Sequence, residues 1–181
     1  STALVAAAVG FAFQIYCDFA SYSTIAIGAA QVMGFTLMEN FNTPYFAVSI
    51  KDLWRRWHIS LSTWFRAYLC IPLGGNRCPK LRQKFNLMVT FLVSGLWHGA
   101  SWNYVAWGFI HGFYQLVGAW TRPFKENFNR RFAVKTESFS YRLGQILVTF
   151  ILTDIAWVFF RAETLGDAVR YLHRIVTQVD W

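Results

Sequence analysis

Residues 85–121 contain no Lys, Arg, Asp or Glu, and basic segments flank them on both sides. As one helix at 1.5 Å per residue this stretch would reach roughly 55 Å, against a hydrocarbon core of ~30 Å. The stretch must therefore fold back on itself. Ser94-Gly95-Leu96-Trp97-His98-Gly99-Ala100-Ser101 offers the break, with two glycines and two serines. The resulting re-entrant or hairpin segment at 85–121 brings both basic segments to one side and His98 near its tip. Residues 77–84 hold Arg77, Lys80, Arg82 and Lys84 with no acid, and 122–142 hold six basic residues against two acidic ones. The positive-inside rule assigns both to the cytoplasmic side.

Composition agrees with a membrane setting. Of 181 residues, 55% are hydrophobic, 19% aromatic and only 14% charged, where soluble domains carry about 25% charged residues. Such a chain cannot hide its apolar surface and stay dissolved, so a typical cytosolic enzyme, a disordered chain and a disulfide scaffold are excluded. The net charge of +8 sits in clumps between uncharged stretches. Anionic lipid headgroups explain those clumps more simply than nucleic acid. Cys17, Cys70 and Cys78 make no CxxC pair and fit no zinc site, so no metal is expected. Ser1 opens directly into an apolar run with no basic n-region, which argues against a signal peptide and for a piece of a longer chain.

Residues 1–17 and 19–38 are uncharged and meet at Asp18. They predict two membrane helices or one kinked helix, with the polar stretch around Asp18 turned inward. Ala26, Gly28 and Ala30 are small enough to let a neighbouring helix approach. Glu39-Asn40-Phe41-Asn42-Thr43-Pro44 reads as a loop. Ser49, with Asp52 three residues on, resembles a helix cap. The helix expected after it runs over 51–61, with Trp54, Trp57 and Leu61 at helical spacing and suited to the membrane–water boundary. Gly74-Gly75 is a turn. Residues 143–160, interrupted by Asp154, make another candidate span. Thr164 and Asp167 resemble a second cap. Leu165, Ala168/Val169, Leu172, Ile175/Val176 and Val179 then form the apolar stripe of an interfacial amphipathic helix.

Intramembrane ionisable groups are functional candidates by default. His98 lies inside the longest uncharged run, where a neutral imidazole can accept a proton; packing against a backbone carbonyl is the competing reading. His58, between Arg-Arg-Trp and Ile-Ser-Leu-Ser, reads on its own as part of an interfacial Trp/Arg belt. Asn103, His111 and Gln115 share spacings of eight and four and mark an interhelical hydrogen-bond seam. His173, near Arg170 and Arg174, belongs to a solvated face. Asp18 and Asp154 could relay protons, but no spacing rule brings them together, so structural roles are favoured.

Three stretches occur in order: Arg55-Arg56-Trp57-His58-Ile59-Ser60-Leu61-Ser62-Thr63-Trp64, then Ile71-Pro72-Leu73-Gly74-Gly75-Asn76-Arg77, then Gly95-Leu96-Trp97-His98-Gly99-Ala100-Ser101-Trp102. Together they resemble the membrane-bound O-acyltransferase (MBOAT) family, in the bacterial branch that serves alginate O-acetylation. Tyr16-Cys17-Asp18-Phe19, Glu39-Asn40-Phe41-Asn42 and Trp157-Val158-Phe159-Phe160-Arg161-Ala162 add to the resemblance. Ser21 stands where the branch often has Gly, Thr24 where it has Asp, and Cys70 where it has an aromatic residue.

The resemblance implies an all-α, polytopic transmembrane helical bundle, with 1–181 as one membrane-embedded region from the C-terminal half of a longer protein. It implies acyl transfer to hydroxyls, with the family's near-invariant histidine falling on His98 and a second active-site histidine on His58. His98 would be the general base. His58 would orient the acceptor, polarise the acyl carbonyl or protonate the leaving thiolate. The implied donor is acetyl-CoA, as a substrate and not a resident cofactor. The implied acceptor is a cell-surface polysaccharide such as alginate, served with an outer-face SGNH-hydrolase-like acetyltransferase at the bacterial inner (plasma) membrane. Two other classes stay open: D-alanyl transfer to teichoic acid, and a non-enzymatic membrane transporter of acyl groups, lipids or protons.

Overall fold

The computed structural model describes residues 2–75 and 77–177. Among them the regular structure is all helical: α1 Thr2–Val32, α2 Ile50–Leu53, α3 Ile59–Phe65, α4 Lys80–His98, α5 Trp102–Arg131, α6 Phe139–Arg161 and α7 Leu165–Thr177. A short 3-10 turn at Pro44–Phe46 and a π-helical stretch at Arg66–Cys70 complete it.

The hairpin forms as the uncharged run requires. α4 and α5 run as its two arms, and His98 is the last residue of α4. The break is narrower than expected. The helix continues through Gly95 and ends at Gly99, whose φ of 155° suits glycine. Gly95 has a different task. A Cβ there would run into the carbonyl oxygen of Tyr104, and one on Gly108 into that of Phe91. The two arms therefore touch backbone to backbone, as small residues allow between membrane helices. Ser101 caps α5 by accepting from the Asn103 N–H. The second basic segment is less loop-like than the sequence suggests, because α5 continues helically through Pro123 to Arg131.

α1 is one continuous helix. Asp18 does not divide it, because it lines a cavity beside the helix and needs no chain break to leave lipid. α1 and α6 are each long and apolar enough to cross a membrane. Their outward faces expose Ile25, Val32, Val148 and Ile151, a surface suited to lipid. Of the small residues in α1, Ala30 is buried, whereas Gly28 has open space around it.

The segment between α1 and α4 departs most from expectation. No single helix covers 51–61. Ser49 does cap, accepting from the Asp52 N–H at 3.1 Å, but α2 ends at Leu53. His58 takes a left-handed conformation (φ 47°, ψ 54°) before α3 begins. The cause is pairing with the loop after α1. Asn42 N–H donates to Arg56 O at 2.9 Å, Ile59 N–H donates to Asn40 O at 3.0 Å, and Phe41 and Trp57 form an isolated antiparallel bridge. The segment re-enters the bundle and docks on α1, where the Tyr45 hydroxyl donates to Ala12 O at 2.6 Å. Trp57 is therefore a core residue packed with Ala12, Leu53, Trp107, Ala156 and Trp157, not part of an interfacial belt.

α7 is capped by Thr164, whose hydroxyl accepts from the Asp167 N–H and donates to its carboxylate. That bond and Arg170, which donates to Asp167 Oδ1, hold the exposed Asp167 carboxyl below its usual range. Ala168 is buried, and Tyr171 donates to Leu4 O, tying α7 to the start of α1. Val179 of the expected stripe and Asn76 lie outside the described residues.

Candidate active site

A cavity of about 660 Å³ opens between α1, the re-entrant segment, the hairpin tip and the end of α6. Its walls are largely aromatic: Trp54, Trp57, Trp97, Tyr104, Trp107, Trp157 and Phe160 all face it. His58 and His98 line the same cavity although forty residues separate them in sequence. Each is brought there by a chain break. His98 ends α4 at the tip, and His58 sits in the left-handed kink between α2 and α3. Trp97 lies between them, with ring centroids 6.1 Å from His58 and 5.1 Å from His98.

The two imidazoles are held differently. His98 is clasped by rings, with Trp107 and Phe160 each at 5.2 Å and nearly perpendicular. Among the described residues its ring nitrogens make no hydrogen bond, to a backbone carbonyl or otherwise. His58 is 8% exposed. Its Nδ1 lies 3.3 Å from Asn40 Oδ1, and Phe19 meets the ring edge-on at 4.7 Å. The belt reading of His58 fails for the reason that moves Trp57 inward: the loop pairing pulls this turn into the bundle.

His111 lies apart, behind the cavity wall. It is buried and accepts from the Trp54 indole N–H at 3.3 Å. Asn103 donates to Ala162 O at 2.6 Å and fastens the hairpin tip to the end of α6. His173 is exposed. Asp154 lies in α6 with a buried Oδ1 that has no hydrogen-bond partner among the described residues.

Of the polar cavity residues outside the histidine motifs, Gln14 and Arg161 were not singled out from sequence as site residues, and Asp18 was weighed only as a relay with Asp154, which is not among the cavity's lining. Gln14 and Asp18 come from α1 and Arg161 from the end of α6. The signal was present. Phe11, Gln14, Ile15, Asp18 and Tyr22 recur at helical spacing and form the one stripe of α1 that faces the cavity.

This is a helical membrane protein whose two motif histidines share one aromatic chamber. The chain belongs to the membrane-bound O-acyltransferase family, whose model matches residues 3–159. It is 42% identical over 174 residues to a probable alginate O-acetylase AlgI of Pseudomonas syringae pv. tomato, covering 96% of this chain and 32% of that protein. It is 40% identical over 171 residues to a peptidoglycan O-acetyltransferase of Helicobacter pylori, covering 93% of this chain and 30% of the other. A teichoic acid D-alanyltransferase of Streptococcus thermophilus is 36% identical over 123 residues, 64% of this chain and 30% of its own. The chain thus spans about a third of the length of these relatives.

Proposed function

We propose that the protein containing this chain transfers an acyl group, acetyl in the first reading, from a cytoplasmic thioester toward hydroxyls of a cell-surface polysaccharide. The observation that carries the reading is the convergence of His58 and His98 on one aromatic cavity. In the reaction, His98 acts as general base. It takes the proton of the acceptor hydroxyl as that oxygen bonds to the acyl carbon. The carbon–sulfur bond breaks, and the proton passes on to the leaving thiolate. A base so placed contributes about 10²–10⁴ in rate. His58 attends the same centre. The Trp and Phe walls keep bulk water from competing as acceptor.

Acetyl-CoA is the proposed donor, and alginate is one candidate acceptor, after the names carried by several relatives. An outer-face SGNH-hydrolase-like acetyltransferase is the proposed partner. The setting is the bacterial inner membrane, crossed several times, with 1–181 as one membrane-embedded region. The likeness to teichoic acid D-alanyltransferases supports D-alanine as a second acyl group.

The test is complementation of a deletion strain, followed by mild alkaline release of ester-linked groups from its envelope polymers. Wild-type protein is expected to restore ester-linked acetate, and His98→Ala to restore none. Release of D-alanine in place of acetate would select the second reading. Restoration of neither by the wild-type protein would refute acyl transfer.

A further inference from the structure

Asn40 is more than a loop residue. Its side-chain oxygen accepts the backbone N–H of Ser60 at 3.1 Å and the Ser60 hydroxyl at 2.7 Å, while its amide nitrogen donates to the Ser23 hydroxyl of α1 at 3.2 Å. A backbone N–H can only donate, so the atom it meets must be the amide oxygen. That fixes which way the Asn40 amide points.

His58 Nδ1 lies 3.3 Å from that same oxygen. The Ser60 hydroxyl also lies 3.5 Å from Nδ1, but it gives its one hydrogen to the Asn40 oxygen at 2.7 Å, so the arrangement that pairs Nδ1 is the one in which Nδ1 carries the hydrogen and donates to that oxygen. In a neutral imidazole the other nitrogen, Nε2, then holds the lone pair. The same residue also controls the His58 backbone, because Asn40 O accepts the Ile59 N–H at 3.0 Å just after the left-handed turn. A non-glycine residue in that conformation is held by its surroundings, and such strain gathers at functional sites.

We propose that Asn40 is a positioning residue that locks His58 as the Nδ1–H tautomer, leaving Nε2 as a hydrogen-bond acceptor for a substrate hydroxyl in the cavity. The functional part of this assignment rests on the acyl-transfer reading. It chooses among the roles open to His58. A neutral His58 so held accepts from a neighbouring hydroxyl of the acceptor and so orients it, leaving the single proton of the reacting hydroxyl to His98. It does not donate to the acyl carbonyl or to the leaving thiolate. Ser23 extends the support, since it anchors the Asn40 amide to α1.

The test uses the full-length protein in lipid with ¹⁵N-labelled histidine, the His58 signals being assigned by their loss in His58→Gln. The nitrogen shifts of the wild-type protein are expected to report Nδ1–H and a bare Nε2, and Asn40→Leu is expected to lose that preference. In the transfer assay Asn40→Leu should lower kcat by about 10²-fold with KM for the thioester little changed, and Asn40→Asp, which keeps the acceptor oxygen, should recover most of the rate. If Asn40→Leu fails to accumulate, the wild-type tautomer still decides. An Nε2–H tautomer in the wild-type protein would overturn the assignment. So would an Asn40→Leu protein with wild-type kcat. A wild-type protein that shows the Nδ1–H tautomer but transfers nothing would refute acyl transfer and leave the tautomer lock standing.

Discussion

Trp54 donates its indole N–H to Nδ1 of His111 across 3.3 Å. The bond joins the re-entrant segment to the middle of α5, and Trp54 is itself a wall of the cavity that holds His58 and His98. His111 is 1% exposed and ringed by Trp54, Phe91 and Trp107. His111→Ala should leave a void and an unpartnered indole N–H, costing roughly 2–4 kcal/mol. The expected outcome is a lower Tm in detergent, with transfer per folded molecule within a few-fold of wild type. A variant with unchanged Tm and no transfer would move His111 from support into the chemistry.

The contact between α4 and α5 makes a sharper prediction. A Cβ on Gly108 meets the Phe91 carbonyl oxygen, a backbone atom that cannot swing aside. Gly108→Val should therefore prevent the hairpin from closing, a cost at or above the 1–3 kcal/mol usual for overpacking. Gly118, in the same helix, has nothing within 4 Å of such a Cβ. Gly118→Ala should be neutral or stabilising by about 0.5–1 kcal/mol, because alanine favours the helix. Thermal unfolding of the two variants side by side checks this, and equal effects would contradict the close packing.

Topology is testable with single cysteines in a background lacking Cys17, Cys70 and Cys78. Cys78 is a poor reporter, half-buried with its thiol donating to Gly75 O. Lys80 and Glu163 are exposed and lie toward opposite ends of the hairpin, the latter beside Ala162 where Asn103 fastens the tip. Lys80→Cys should react with an impermeant maleimide only from the cytoplasmic side, and Glu163→Cys only from outside. The reverse pattern would invert the chain in the membrane.

The hairpin and the apolar helix α6 were legible in the sequence because charge and hydropathy alone dictate them, whereas the apolar run of α1 was legible but its continuity past Asp18 was not, two helices or one kinked helix being the expectation. The caps at Ser49 and Thr164 were legible because their spacing is local. His58 and His98 were named through their motifs, and their placement on one cavity needed the fold. The continuous helix over 51–61 was misread for a physical reason. Trp54, Trp57 and Leu61 do recur at helical spacing, but the loop 40–42 competes for the same backbone and turns His58 left-handed. That pairing joins residues far apart in sequence, so no window of helical periodicity contains it. Asn40 escaped notice likewise. Asn and Pro mark a loop, and only the fold reveals that the loop's amide reaches both His58 and Ser60.

We propose that acyl transfer occurs in the chamber that His58 and His98 line. The most direct measurement is transfer of labelled acetyl from acetyl-CoA to a polysaccharide acceptor or outer-face partner by the full-length protein reconstituted in lipid. Wild type, His98→Ala and His58→Ala would be compared at matched folded amounts. Transfer by wild type, none detectable by His98→Ala and a loss of about 10²-fold or more in His58→Ala is the predicted result. Near-normal transfer by His98→Ala would contradict it.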